Sequence, residues 1–302
     1  MKKLILIDAN ALVHRAFHAL PPLTTRKGEL VNAVYGFSSI LLRVINELKP
    51  DYIAAAFDLA APTFRHIEYE DYKATRPKAP DELYEQIPRA KEVLKAFSIP
   101  VMEKEGFEAD DVIGTLAKKF TRDGIETLIV TGDLDTLQLV NNKIKIYTMK
   151  RGLSDTIIYG EKEVKDRYGL KPNQMIDYKA LRGDPSDNIP GVKGIGEKGA
   201  CTLLKEFGTI ENLYKNLDKI KTKSIVEKLK TNKQMAFFSK RLATIHQKVP
   251  IKINLKELDW QKNININKVK ELFNQLNFQT LLKRLPGEKV EPEKKAEQKN
   301  LF

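Results

Sequence analysis

The chain has 302 residues, 42% of them apolar and 30% charged, a balance that excludes a disordered or membrane-embedded protein and fits one large soluble domain or two ordinary ones. Its single cysteine, Cys201, excludes an intramolecular disulfide and fits a reducing compartment. The net charge of +12 is unevenly placed: residues 1–189 hold 28 basic and 28 acidic residues, residues 190–250 hold 13 and 5, and residues 251–302 hold 11 and 7. A basic excess confined to the later part of a chain is the footprint of a phosphate-backbone binder, an ordinary lysine-rich surface being the alternative.

The N-terminal "MKKLILIDANALV" begins like a signal peptide, but Asp8 and Asn10 interrupt it and no small-residue cleavage site follows. No apolar run approaches the length of a membrane span, so a cytoplasmic protein with no membrane partner is expected. "KLILID" (3–8) reads as a buried strand, "VNAVYGFSSILLRVINEL" (31–48) as a helix and "YIAAAFD" (52–58) as a second strand. "PDELYEQIPRAKEVLKAF" (80–97) reads as one helix starting at a proline. From "GFEADDVIGTLA" (106–117) onward, Ile113, Leu116, Ala117 and Phe120 follow helical spacing. "ETLIVTGD" (126–133) and "KIKIYTM" (143–149) supply two more strands. The alternation predicts an α/β fold with a mostly parallel central sheet and helices on both faces.

Near residue 183 the pattern turns helical, basic and glycine-punctuated. The predicted organisation is a core over 1–182, a helical DNA-binding region over 183–285, and a charged, disordered tail over 286–302.

Three predicted strands end in aspartate: Asp8, Asp58 and Asp133, with Asp135 just beyond. Ligand sites of open α/β sheets lie outside the carboxyl ends of the strands, so these acids converge if the sheet is parallel. Glu108, Asp110 and Asp111 crowd the start of a helix that can reach the same edge, and "LRGDPSDNIPG" adds Asp184 and Asp187. A single such acid is more often a cap or turn former; the recurrence is what points to a site. An all-carboxylate set without histidine or cysteine suits hard divalent ions such as Mg²⁺ or Mn²⁺. So many like charges need more than one ion, and paired ions suit phosphodiester hydrolysis. Asp111 and Asp187 are the weakest candidates, since first-turn acids and caps have the same composition. His14 and His18 lack further ligands at zinc-site spacing and are expected to be structural or surface residues.

"DYKATRPKAP" (71–80) places Tyr72, Lys73 and Arg76 together; if helical, the two cations share a face, and the aromatic can stack a base. An exposed loop is the equal alternative. "IPGVKGIGEKGACTLLKEF" (189–207) frames a hairpin with Gly191, Gly194 and Gly196 ahead of a helix, with Lys193 and Lys198 beside it. Close backbone approach and free helix N–H groups there suit duplex phosphates, a helix–hairpin–helix pattern. A nucleotide-binding loop is disfavoured because no strand precedes and no G-K-[ST] follows.

With these residues in view, the sequence resembles the 5′-nuclease (flap endonuclease) family. The likeness is carried by "LILIDANALVHRAFHALPPLT", "AAAFD", "TFRHIEYEDYKATRP", "GFEADDVIGTLA", "VTGDLDTLQLV" and "LRGDPSDNIPGVKGIGEKGA". It implies a PIN-like nuclease core and a structure-specific 5′→3′ exonuclease and 5′-flap endonuclease acting in primer removal and repair. By that resemblance Asp8, Asp58, Glu108 and Asp110 would line one metal position, and Asp133, Asp135 and Asp184 a second, with Asp111 and Asp187 close by. Tyr72, Lys73 and Arg76 would lie in an arch over about 63–82, with Arg15 near the same phosphate. The hairpin at 189–208 would be a helix–three-turn–helix holding duplex DNA and K⁺. The final "QKNLF" is similar to peptides that dock on sliding clamps, and a monomer is expected. The competing classes are an RNA-cleaving PIN nuclease and a non-enzymatic DNA-structure binder.

Overall fold

The computed structural model describes residues 2–286; the predicted tail beyond Pro286, with its QKNLF ending, lies outside the described residues. A six-stranded sheet forms the centre, in the order β3-β2-β1-β4-β5-β6. The strands are β1 (Lys3–Asp8), β2 (Tyr52–Ala56), β3 (Val101–Met102), β4 (Glu126–Val130), β5 (Ile144–Arg151) and β6 (Asp155–Tyr159). The first five run parallel and β6 returns antiparallel to β5. In register, Leu6 sits between Ala54 and Ile129.

Alternate strand residues feed two apolar layers. Leu4, Leu6, Ala54 and Ile129 face one side, packed by the helix Ala109–Arg122, by residues from the later helices such as Leu181 and Leu203, and by Val192 from the turn between them. Ile5, Ile7, Ile53 and Val130 face the other, packed by the helices Ala9–Ala19, Asn32–Leu48 and Ile87–Ala96. A parallel sheet covered on both faces needs strands apolar on both sides, and these are. Phe37, Phe97 and Phe273 are fully buried in the second layer, each worth about 1.5–3 kcal/mol of burial.

Several boundaries differ from expectation. β2 ends at Ala56 and β4 at Val130, so Asp58 and Asp133 stand in the turns beyond the strands. The predicted helix over 80–97 is two, Asp81–Tyr84 and Ile87–Ala96, because Pro88 can be accommodated only in a first helical turn. The short edge strands β3 and β6 carried no clear alternation. Residues 260–285 also depart from the predicted second region. Trp260 Nε1 donates to the Phe97 carbonyl at 2.9 Å, and Val269, Phe273, Phe278 and Leu281 join the layer of Ile5 and Ile7. That segment belongs to the packing of the core. Among the described residues no helix is long and apolar enough to cross a membrane.

Candidate metal centre

The strand order reverses beside β1, since the chain passes from β1 to β2 on one side and places β4 on the other. The crevice at that point, outside the carboxyl ends of the strands, is the expected ligand position of such sheets. A cleft of about 230 Å³ opens there, lined by Asp8, Asp58, Glu108, Asp110 and Asp133 together with Lys73 and Arg76.

Asp8 ends β1 and caps the next helix: one carboxylate oxygen accepts from the Ala11 amide at 3.1 Å and the other from Thr131 Oγ1 at 2.6 Å. Burial, with Asp58 and Asp133 nearby, pushes its carboxyl up to about 7. Asp58 accepts from Asn10 Nδ2 at 2.8 Å and from the Ala109 amide at 2.7 Å. Glu108 caps the helix Ala109–Arg122, which buries Val112, Ile113, Leu116 and Phe120. That buried face fixes Glu108 and the neighbouring Asp110 toward the cleft. Burial, with Asp133 and Asp8 adding to it, holds the Asp110 carboxyl well above the usual carboxylate range.

A second group adjoins the first. Asp133 caps the 3₁₀ turn Leu134–Leu139, accepting from the Asp135 amide at 2.8 Å. Asp135, Asp184 and Asp187 each offer an oxygen within 4.8 Å of the others. Burial and Asp133 push the Asp135 carboxyl up to about 7, although Lys179 opposes them. Burial alone would raise Asp184 as well, but Lys179 and Ser186 outweigh it and hold that carboxyl below its ordinary value. The donor set is all oxygen, and the carboxyls raised by burial and, secondarily, by one another are groups that bound cations would return to the charged form. Asn10 Oδ1, at the same cleft, is buried without a hydrogen-bond partner. Both observations fit hard divalent ions.

Asp111 departs from its predicted role. It is fully buried, and its two oxygens accept from Arg65 at 2.7 and 2.8 Å, from the Glu108 amide at 3.1 Å and from the His246 amide at 2.7 Å. With its lone pairs so engaged it anchors the helix start. Tyr72 departs too: it is buried rather than free to stack a base, and its hydroxyl donates to Glu108 at 3.2 Å and Asp187 at 3.1 Å. The arch segment is a short helix, Phe64–Glu68, followed by turns, with Lys73 at a left-handed φ of 58°. Lys73 and Arg76 nonetheless reach the cluster, Lys73 pairing with Glu108 at 2.6 Å and Arg76 with Asp187. Arg15 does not line the cleft; its guanidinium donates to the Gly152 carbonyl at 3.0 Å.

At the hairpin, Lys193, Gly194 and Gly196 are exposed ahead of the helix Glu197–Phe207, and Lys198 is exposed in its first turn. Gly191, predicted among the DNA contacts, is buried at φ 65°, where a Cβ would come within 2.2 Å of the Gly183 amide nitrogen. Its smallness serves chain packing. Cys201 is half-buried against the core.

Three cleft residues were not legible beforehand. Arg65 spends every guanidinium donor inside, on Asp111, Glu108 and the carbonyls of Leu242 and Thr244. Lys179, in the helix Met175–Arg182, bridges Asp135 and Asp184. His14, expected to be structural or superficial, lines the acidic cleft, and burial lowers its pKa. Arg65 lies 46 residues from Asp111 and Lys179 lies 44 from Asp135, so no local spacing reveals these pairings; Asp184 is only five residues from Lys179, but the two are separated by the end of the helix Met175–Arg182.

Comparison with known proteins identifies the class. A profile described as "5'-3' exonuclease, N-terminal resolvase-like domain" matches residues 3–169, and one described as "5'-3' exonuclease, C-terminal SAM fold" matches residues 170–265. The chain therefore belongs to the 5′-3′ exonuclease family, and it is a nuclease. It is 48% identical over 285 residues to DNA polymerase I of Caldicellulosiruptor bescii, covering 94% of this chain and 33% of that protein. It is 45% identical over 292 residues to DNA polymerase I of Bacillus subtilis, covering 97% and 33%. The chain thus spans about a third of the length of these curated relatives. Among solved structures, the T5 D15 protein co-crystallised with metal ions matches with a TM-score of 0.70 at 17% identity, covering 92% of this chain and 99% of that one. The catalytic core of Rad2 in complex with DNA substrate gives 0.51 at 18%, covering 91% and 93%. At those identities the likeness speaks to fold.

Proposed function

We propose that the chain hydrolyses DNA phosphodiesters at 5′ ends and 5′ flaps, using two divalent ions, Mg²⁺ or alternatively Mn²⁺, in primer removal and repair. The observation that carries this reading is the convergence of carboxylates from β1, the turns after β2 and β4, one helix start and the Asp184 turn into one crevice. Asp8, Asp58, Glu108 and Asp110 would hold one ion; Asp133, Asp135, Asp184 and Asp187 the other. When bound, such a pair supplies an activated water and stabilises the leaving oxygen.

The chain's own residues do the rest. Lys73 and Arg76 both line the cleft, paired with Glu108 and Asp187. A substrate phosphate entering the cleft would take over these cations once ions neutralise their partners, placing two fixed positive charges beside the reacting phosphorus. Arg65 and Tyr72 hold Glu108 in place from behind. Arg15, which the resemblance puts near the same phosphate, would have to leave the Gly152 carbonyl to reach it. Lys193, Lys198 and the free amides after Gly196 would grip a duplex backbone without reading bases. K⁺ is proposed for the hairpin carbonyls; the Gly194 carbonyl accepts from Lys228 Nζ at 3.1 Å, which supports a cation-seeking edge. A sliding clamp bound through QKNLF and action as a monomer complete the proposed partners.

The test uses a labelled 5′-flap DNA and a single-stranded RNA, each with Mg²⁺ or EDTA. Flap cleavage in Mg²⁺ alone, reduced about a hundredfold or more by Asp110→Asn, is expected. RNA cleavage without flap cleavage would instead favour a PIN-type RNA nuclease, and tight flap binding without cleavage a DNA-structure binder.

A further inference from the structure

The second carboxylate group already contains a cation. Lys179 Nζ sits against an Asp135 oxygen and 2.5 Å from an Asp184 oxygen. Among the described residues, those two aspartates and Asp187 are the ones whose oxygens come within 4.8 Å of one another. The lysine side chain is only 11% exposed. Its helix, Met175–Arg182, is fixed by the buried Met175, Tyr178, Ala180 and Leu181. It therefore differs from Lys73 and Arg76, which reach the cluster from turns and are more exposed, at 23% and 45% of their side chains.

We propose that Lys179 is a built-in competitor for the second divalent ion, so that this ion binds more weakly than the first and full occupancy waits on high metal concentration or on substrate phosphate. This rests on Asp135 and Asp184 being ligands, as assigned above. Two physical effects act together. The ammonium hydrogen-bonds the oxygens that an incoming ion would need, and its charge remains within a few ångströms of that ion even after it swings aside. Unit charges that close in a partly buried site alter an affinity by about tenfold or more. Without the lysine, Asp135 and Asp184 would lose the cation between them, and Asp184 would keep only its bonds from the Ser186 amide and hydroxyl. Lys179 thus stabilises the empty carboxylate group at the expense of the occupied one.

The experiment is a Mn²⁺ titration of the full chain without DNA, reading free Mn²⁺ by electron paramagnetic resonance, for wild type, K179Q, K179R and Asp184→Asn. Wild type is expected to bind one ion tightly and one weakly. K179Q is expected to tighten the weaker site about tenfold or more, with K179R resembling wild type. Thermal unfolding gives a second readout: Mn²⁺ should raise the midpoint of K179Q more than that of wild type. A K179Q protein that folds only when Mn²⁺ is added agrees with the proposal; one that stays unfolded at saturating Mn²⁺ overturns it. Unchanged or weakened binding in a folded K179Q also overturns it. The two levels separate cleanly. If wild type binds no second ion, or Asp184→Asn leaves the isotherm unchanged, the ligand assignment fails. If Asp184→Asn removes the weak site and K179Q changes nothing, only the role of Lys179 fails.

Discussion

Arg65 shows how much of the cleft depends on one side chain that touches no substrate. It is buried, and its guanidinium ties the base of the arch to Asp111 and Glu108 and to the carbonyls of Leu242 and Thr244. Burial works against its charge, yet Asp111 and Glu108 more than compensate and raise its pKa. Truncation strands the fully buried Asp111 carboxylate without its counter-ion, and removing one partner of such a pair costs about 3–5 kcal/mol. Arg65→Ala should therefore lower the urea midpoint by that equivalent and loosen Glu108; an unchanged midpoint would show that the pair is not structural. The sequence made Asp111 look like its acidic neighbours Glu108 and Asp110. Three acids in four positions reveal crowding but not orientation. Only packing of the Val112–Phe120 face decides that Asp110 meets the cleft while Asp111 meets Arg65.

Among the elements, the hairpin separates two uses of glycine that the motif alone merges. Gly194 and Gly196 are exposed before the helix Glu197–Phe207, where the backbone is open to a ligand. Gly191 is pressed against the Gly183 backbone at positive φ. Gly191→Ala should cost about 1–3 kcal/mol in thermal unfolding through strain and overpacking, whereas Gly196→Ala should be nearly silent in stability. Equal effects at the two positions would contradict this division. The element reading from periodicity succeeded where burial is strong and continuous, as in β1 and the helix Asn32–Leu48. It missed β3, only two residues long, and β6, whose exposure pattern lacks a clean alternation. It also ran a helix through Pro88, because the apolar spacing continues across a break that the proline imposes.

Across the whole molecule, the parallel sheet gathers acids that are up to 179 positions apart in sequence, from Asp8 to Asp187. Strand-end position made that edge legible, but the counter-charges were not: Arg65 meets Asp111 and Lys179 meets Asp135 only through tertiary packing, although Lys179 also reaches Asp184 five residues along the chain. The same gathering makes stability depend on pH. Asp8 and Asp135 sit at about 7, above the usual unfolded value of about 3.9, so between those values the folded state holds more protons than the unfolded one. Their contribution is thus fully present at low pH and is lost as pH rises through about 7. Asp184, held low, has the opposite sign and contributes above its unfolded value. In EDTA the melting temperature should fall from about pH 5.5 to about pH 8, and Mg²⁺ should restore more at the higher pH. A melting temperature that is flat in EDTA, or a Mg²⁺ effect larger at acid pH, would contradict this.

The most direct measurement of the central claim is the single-turnover rate of 5′-flap cleavage as a function of Mg²⁺ concentration, with EDTA as the zero point. The expected result is no cleavage in EDTA and a rate that rises more steeply than first order in Mg²⁺ before saturating, as two ions require. Cleavage that persists in EDTA, or no cleavage at any Mg²⁺ concentration despite flap binding, would contradict it.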